Sequence, residues 1–575
     1  MTNNDFGELK NVYFEDLKSF LIDNSPNKDE IAKFKVSLCR KYGLKFIPTD
    51  IEILLNVDKE DLSFFRRFLT TKPVRTGSGV AVIAIMSAPF RCPHGKCTYC
   101  PGGPDSYFGN VPQSYTGNEP ATMRGIRNNY DAYLQVMNRL EQYIAIGQSP
   151  DKVELIIMGG TFPSFSKEYQ DEFVRDAFLA MNDFSELFFS GKGHNLDDLD
   201  IEKFKDFFLL PGNINDKHRQ HEIHRKLLAL KEKKRCSLIE AQKKNETTII
   251  RCVGLTIETK PDWGLLEHGN QMLKLGCTRV ELGVQTLNEN VLNEVHRGHN
   301  LQDTKDSIKI LRDLGFKLNF HMMPGLPGIS KEEDIRTFKE LFENSDYVPD
   351  MLKVYPTMVM PGTKLYLDFK QGKYTPLNTE DASDIIAESC RFVPKYCRIM
   401  RVQRDIPVKY SFDGIKKNNL RQIVEEKIKK KGIVLKDIRS REIGKNPILE
   451  PVDFEIIEYS ASKGIEYFIS LVDANDKLLG FVRLRIPSCS LRDEFNDKTA
   501  IIRELHVYGT AIAIGDEAGN SQHKGFGKKL MSKAEEIAIS NNKNEILVIS
   551  GIGVREYYRK LGYELKGPYM FKQLD

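Results

Sequence analysis

From Val80 onward the chain repeats one pattern: a short run of apolar, often β-branched residues, an amphipathic or polar stretch, then the next run. The runs Val80 to Met86, Val153 to Met158, Val253 to Ile257, Arg279 to Val284, Lys317 to Met322 and Leu352 to Tyr355 read as buried strands. Tyr133 to Ile146 and Asp303 to Leu314 read as helices between them. Strands that alternate with helices pair in parallel through crossover connections. No dinucleotide fingerprint interrupts the series, so an α/β fold with a partial or full barrel is expected, its chemistry at the C-terminal strand ends.

The chain has 575 residues, 41% apolar and 29% charged. A single core stops growing at about 250–300 residues, so several domains are expected. Residues 1–75 form a helical, basic appendage, with apolar residues at helical spacing in Ile31, Phe34, Leu38 and in Ile51, Leu54, Leu55. Residues 76–410 form the barrel domain. Within it, about 184–248 is a polar, Lys-rich stretch containing KEKKR and reads as a surface insertion. A connector over 411–450 carries Leu420, Ile423, Val424 and Ile428 on one helical face. Residues 451–575 form a second, α+β unit, with strands at Glu466 to Val472, Leu478 to Ile486, Ala500 to Val507 and Glu545 to Ser550 and helices over 527–540 and 553–561. The longest apolar run is far shorter than the roughly 20 residues of a membrane span. The N-terminus is neither basic nor apolar, so a cytoplasmic protein without a membrane partner is expected.

Ten cysteines are scattered except for one group, Cys92-Pro-His-Gly-Lys-Cys97-Thr-Tyr-Cys100, followed by Pro101-Gly102-Gly103-Pro104. Three thiolates can hold a 4Fe-4S cluster and leave one iron open to chelate S-adenosylmethionine. A structural zinc site takes closely spaced cysteines too. Context favours the cluster: the group follows the first strand of the series, and the next strand ends in Gly159-Gly160-Thr161-Phe162, a small-residue turn able to approach the methionine end of the cofactor. Glu258 and Gln285 end later strands and are further candidate contacts, ordinary loop capping being their alternative.

In the C-terminal unit, Gln522-His-Lys-Gly525-Phe526-Gly527 leads into a helix at Lys528, where free amides and the helix dipole receive a pyrophosphate. The preceding strand, Glu504-Leu505-His506-Val507, offers an edge to pantetheine amides. With Tyr557 and Tyr558 near the last helix, this order resembles the GNAT acetyltransferases. In them a tyrosine beside the thioester sulfur protonates the leaving thiolate, a role open to Tyr558 or Tyr557, with simple packing as the alternative for Tyr557.

The combination, and the segments RCPHGKCTYCPGGPDS, QSYTGNEPATMR, DKVELIIMGGTF, YPTMVMPGT, MRVQRDIP and IRELHVYG, resemble the catalytic acetyltransferase subunits of Elongator from about Lys41 to Met570, outside the 184–248 stretch. The four-residue gap between Cys92 and Cys97 resembles the archaeal and bacterial form. The resemblance implies a radical S-adenosylmethionine partial TIM-type barrel joined to a GNAT domain. It further implies an enzyme that uses acetyl-CoA to place a carboxymethyl group on carbon 5 of the wobble uridine, with the anticodon stem-loop of tRNA as partner. By the same resemblance Lys152, Glu504 to Val507, Phe526 to Lys528 and Tyr558 contact acetyl-CoA, Lys152 and the tyrosines standing as catalytic candidates. Whether the chain works alone, as a homodimer or in a larger assembly stays open.

The net charge is only +4, but basic residues bunch at Lys33 to Lys45, Arg225 to Lys244, Lys395 to Lys409 and Lys416 to Lys431. Together these groups suggest a phosphate track for the RNA. Cys390 and Cys397 are candidates for half of a structural zinc site or are two buried thiols. Two other functions stay open at this point: a protein-lysine acetyltransferase with a structural cluster, using Glu504 as base, and a tRNA-binding scaffold without turnover.

Overall fold

The computed structural model describes residues 4–44, 46–70, 79–190, 198–213, 216–444, 446–509 and 525–575. Seven parallel strands form an open barrel sheet in strictly sequential order: β1 (Ala81–Met86), β2 (Lys152–Met158), β3 (Arg251–Thr259), β4 (Arg279–Gln285), β5 (Lys317–Met322), β6 (Met351–Val354) and β7 (Arg398–Arg401). The register runs Ala81 opposite Val153, Thr256 opposite Arg279, Arg279 opposite Lys317 and Met351 opposite Arg398. Buried positions follow one another along β4 because both faces are covered, one by helices and one by the barrel interior. The crossover helices start where their sequences can cap them, as at Asn300 with Asp303 and Ser330 with Glu333. The seventh strand was not foreseen: Arg-Ile-Met-Arg carries too little apolar pattern to stand out.

The stretch read as a surface insertion is largely helical and has a core. Helices Lys167–Phe188, Ile201–Phe207, Lys217–Lys233 and Leu238–Asn245 enclose Phe184, Phe188, Phe204 and Phe208. Phenylalanines four residues apart supply that core, while the KEKKR cations lie outside it. In the N-terminal appendage, helices including Lys28–Lys41, Asp50–Asn56 and Lys59–Leu69 bury Leu38, Leu54 and Phe65. A Cβ at Gly147 would lie 3.0 Å from Leu54, which seats this unit at the end of helix Ala132–Ala145.

The second sheet has seven strands, β8 (Asp453–Ala461), β9 (Gly464–Val472), β10 (Leu478–Ile486), β11 (Thr499–Val507), β12 (Glu545–Val548), β13 (Glu564–Lys566) and β14 (Tyr569–Gln573), in the order β8-β9-β10-β11-β12-β14-β13. Only β11 and β12 pair in parallel. This sheet sits on the N-terminal end of the barrel. Arg503 donates to Phe316 O at 2.7 Å and to Asp350 at 2.6 and 2.8 Å, Tyr569 Oη donates to Leu314 O at 2.9 Å, and a Cβ at Gly551 would lie 2.2 Å from Val253 O. No helix among the described residues is long and apolar enough to cross a membrane.

Candidate functional site

At the opposite, C-terminal end of the barrel strands, Cys92, Cys97 and Cys100 line one open cavity, whose empty space, open mouth included, is about 1100 Å³. The loop after β1 carries all three. A Cβ at Gly159 would lie 2.2 Å from Ser87 Oγ, and Gly160 takes the left-handed φ of 92° that glycine favours, so the turn after β2 passes close to the end of β1 and to Cys92. Thr161 Oγ1 lies 3.6 Å from Cys92 Sγ, and the Ser114 amide donates to Cys100 Sγ at 3.2 Å. Burial, aided by the charge of Cys97, pushes the Cys100 thiol up to about 11, so the free thiol is neutral and a bound metal would have to draw off its proton.

The remaining wall comes from the strand ends. Glu258 accepts from Tyr115 Oη at 2.8 Å. Gln285 holds a left-handed φ of 71°, costly for a branchless but bulky residue, and its Oε1 is buried without a partner. Both residues line the cavity, together with Gly160 and Thr161. Glu281 was not foreseen. It accepts from His321 at 2.7 Å and Asn319 at 3.2 Å and pairs with the Lys353 ammonium. Burial opposes ionisation of Glu281, but Lys353 and His321 win and hold its carboxyl far below the usual range. Glu258, Glu281 and His321 bring ligand atoms within 4.8 Å of one another, yet Lys353 already supplies the cation there.

Two buried cations line the same cavity. Arg297 donates to Cys97 Sγ at 3.8 Å and to Gly283 O at 2.7 Å, and Lys260, 2% exposed, bonds Asp262 at 3.1 Å. Lys260 stands in a strand-end segment that was legible, but Arg297 lies in His-Arg-Gly-His, outside every strand, and left no periodic signal. Three convergent sulfurs, close glycine backbone and surplus buried positive charge fit an iron-sulfur cluster. A zinc ion would draw on the same thiols together with His94, whose Nε2 lies 3.3 Å from Cys97 Sγ, whereas the buried cations beside them suit the more negatively charged cluster.

The second site lies across the domain seam. Strand β11 pairs with β12 only from Thr499 to Ile502, so the β12-facing edge from Arg503 to Val507 opens, as pantetheine pairing requires. Gly525, at φ 74°, starts helix Phe526–Ser540, placing Phe526, Gly527 and Lys528 in its first turn. Gln522 lies outside the described residues. A Cβ at Gly527 would lie 2.8 Å from Tyr557 Oη, while Tyr558 is buried between the rings of Tyr557 and Tyr563. Burial keeps the Tyr558 phenol protonated well above its ordinary range. Arg555 and Arg559 of the same short helix bond Glu246 at 2.9 and 2.7 Å, so the Lys-rich stretch fixes the tyrosine helix. Lys152 opens β2 opposite Arg251, whose Cβ would meet a Cβ at Gly553 at 2.6 Å, and so stands on the seam and far from the cysteines.

Glu504 is not a free base. Burial would raise its pKa, but Lys317 and Arg483, the latter donating at 2.9 Å, lower it and occupy the carboxylate. His506 beside it is pushed down to about 4 by burial. Cys390 and Cys397 are both buried, and among the described residues no third ligand joins them. The basic groups are less available than their sequence suggested. Lys35 pairs with Asp50, Lys231 with Asp131 and Asp176, Lys234 with Glu186, Lys427 and Lys431 with Asp384, and Lys395 with Asp476. Carboxylates distant in sequence meet these lysines in the fold. Lys33, Arg40, Lys409, Lys417, Lys429 and Lys430 stay exposed.

The chain matches the ELP3 N-terminal domain over residues 14–77, the Radical SAM superfamily over 86–341, the Radical_SAM C-terminal domain over 349–430 and the Acetyltransferase (GNAT) family over 435–563. It is 43% identical over 570 residues to the tRNA uridine(34) acetyltransferase of Methanocaldococcus infernus, covering 97% of this chain and 98% of that one. It is 38% identical to Elongator complex protein 3 of Homo sapiens, covering 97% and 96%. Such coverage takes in the appendage and leaves no room to omit all of 184–248, so the likeness extends further than the sequence segments indicated. The solved structure of the archaeal Methanocaldococcus infernus Elp3 lacking residues 1–46 superposes with a TM-score of 0.69 at 39% identity, covering 86% of this chain and all of that one. The chain therefore belongs to the family of radical S-adenosylmethionine and GNAT proteins that includes the archaeal tRNA uridine(34) acetyltransferases and Elongator complex protein 3.

Proposed function

We propose that the protein is a tRNA uridine(34) acetyltransferase that uses acetyl-CoA and S-adenosylmethionine to place a carboxymethyl group on carbon 5 of the wobble uridine, in the cytoplasm. One observation carries this reading: three cysteines line a cavity at the C-terminal end of the barrel strands, and the sheet carrying Glu504 to Val507 packs on the opposite end of the same barrel. When bound at Cys92, Cys97 and Cys100, the cluster supplies one electron to S-adenosylmethionine and so gives access to carbon-radical chemistry. The chain's own groups do the rest. Gly159, Gly160, Thr161, Glu258 and Gln285 hold the sulfonium cofactor, and Tyr115 fixes the Glu258 carboxylate at 2.8 Å. Glu504 to Val507 and Phe526 to Lys528 hold the coenzyme, Lys152 meets it from the barrel side, and Tyr558 gives its proton to the departing thiolate. The exposed Lys33, Arg40, Lys409 and Lys417 replace the longer basic runs as the phosphate track.

Glu504 is already committed to Arg483, which speaks against a lysine acetyltransferase that needs it as general base. The test is anaerobic reconstitution with iron and sulfide, followed by S-adenosylmethionine, acetyl-CoA, reductant and tRNA, with nucleosides read by mass spectrometry. Carboxymethyluridine is expected, and none from Cys97→Ala. Acetylated peptide without modified uridine would replace this reading with the acetyltransferase one, and neither product would leave the scaffold.

A further inference from the structure

Arg297 is 8% exposed, and among the described residues its guanidinium forms no ion pair with a carboxylate. Its Nε is buried without a partner. A buried cation left without an anion is destabilising, so a site that keeps one is built around a negative charge that arrives later. The geometry indicates where that charge sits. Nη1 points at Cys97 Sγ, and Nη2 is anchored on Gly283 O at the end of β4. A Cβ at Gly283 would lie 2.3 Å from Nη2 and would push the guanidinium aside. The next residue, Gly298, at φ 77°, lets the turn close on His94, whose Nε2 lies 3.3 Å from the same sulfur, and Thr98 N donates to Val295 O at 3.0 Å. The Arg297 turn and the cysteine loop are thus docked at several points, with the guanidinium between Cys97 and the barrel rim. Lys260 adds a second buried positive charge on the same wall of the cavity.

We propose that Arg297 is the counter-cation of the iron-sulfur cluster, holding the Cys97 thiolate in place and raising the potential at which the cluster accepts its electron. This rests on the cluster assignment under Proposed function. The electron comes from a low-potential one-electron donor and adds one negative charge to a group already bearing three thiolates. A fixed cation beside one of those sulfurs favours the reduced state. Arg297 is accordingly a positioning residue: it touches a ligand sulfur and acts through it.

The test uses the full-length protein and its Arg297→Gln, Arg297→Lys and Gly283→Ala variants, each reconstituted anaerobically with iron and sulfide. Iron content is measured first, then the midpoint potential by redox titration followed by electron paramagnetic resonance, with dithionite as donor. Arg297→Gln is expected to shift the midpoint to more negative values or to lose iron. Arg297→Lys, which keeps the charge, should stay closer to the parent. Gly283→Ala displaces the guanidinium without deleting it and should move the potential in the same direction as Arg297→Gln, so the question is still decided if the glutamine variant fails to fold. A cluster-loaded parent with an unchanged midpoint in both Arg297→Gln and Gly283→Ala, or in Gly283→Ala alone where the glutamine variant cannot be made, overturns the proposal and leaves the enzyme reading standing. A parent that takes up no iron overturns both.

Discussion

The two ends of the barrel bury cations on opposite terms. At the base, Arg312, Arg483, Arg485 and Arg503 are fully buried where the GNAT sheet meets the barrel, and each faces carboxylates: Arg503 Asp350 and Glu466, Arg485 Asp313 and Glu466, Arg483 Glu504, Arg312 Asp350 and Glu466. At the rim, Arg297 has only a thiol and a carbonyl, and Lys260 a single half-exposed aspartate. The base network finds its counter-charges within the protein, although Arg312 Nε and Nη1 and Arg483 Nη1 lack hydrogen-bond partners, and it joins the two domains. An unbalanced one is complete only with a ligand. Buried charge by itself therefore does not mark a functional site; the missing partner does.

Deleting one member of the base should cost most. Asp350→Ala leaves Arg503, Arg483 and Arg312 without a carboxylate they share, and about 3–5 kcal/mol of stability should go, read as a large fall in denaturation midpoint or as insoluble protein. A midpoint within error of the parent would break the claim that the base is structural. Next comes the acetyl-CoA site proposed on that sheet. Tyr558→Phe should slow thioester cleavage about 10²- to 10⁴-fold at unchanged iron content, whereas Tyr557→Phe should slow it by less than about 3-fold. The reverse order would pass the proton donor's role to Tyr557, whose hydroxyl lies against Gly527.

The rim should respond in the opposite sense. In cluster-free protein, Arg297→Met removes a lone buried charge and should leave stability unchanged or raise it by up to about 4 kcal/mol; a marked loss would erase the contrast between the two ends. The smallest effect is one of pH. Burial lowers the His506 pKa from 6.5 to about 4, so the unfolded chain binds that proton more readily. The stability His506 contributes is full above about pH 6.5 and is lost as pH falls toward 4. In His506→Gln that limb of the stability profile should flatten, as followed by thermal unfolding across pH.

How much of this was legible depended on whether the signal was periodic. The first six barrel strands showed in the sequence because each is rich in apolar residues, unbroken in Ala81–Met86 and interrupted by single polar residues in Arg279–Gln285 and Lys317–Met322, and the cysteines because they are close together. Strand β7 and edge strand β8 did not. Arg398–Arg401 is half arginine, and Asp453–Ala461 alternates around exposed Phe454 and Ile456 instead of presenting a buried face. Arg297, Glu281 and Lys353 were invisible for another reason: each acquires its meaning from a partner dozens to hundreds of residues away, as Arg297 does from Cys97, and one sequence holds no record of such pairings. The lysine runs misled in the same way, since Asp384 and Asp131 neutralise them only in the folded chain.

The barrel sheet runs from β1 to β7 without closing on itself. Above the gap, the Arg404 side chain reaches from the loop after β7 to Ser114 O and lies 5.9 Å from the Tyr115 ring, both on the far bank. A closed eight-stave barrel admits only what fits down its mouth. Here loops stand in place of the missing stave, Phe108 packing against Met358, Met360 and Ile406 beside Arg404, and under the proposed function a nucleoside still attached to its strand would reach the cavity from this side, its flanking phosphates remaining outside.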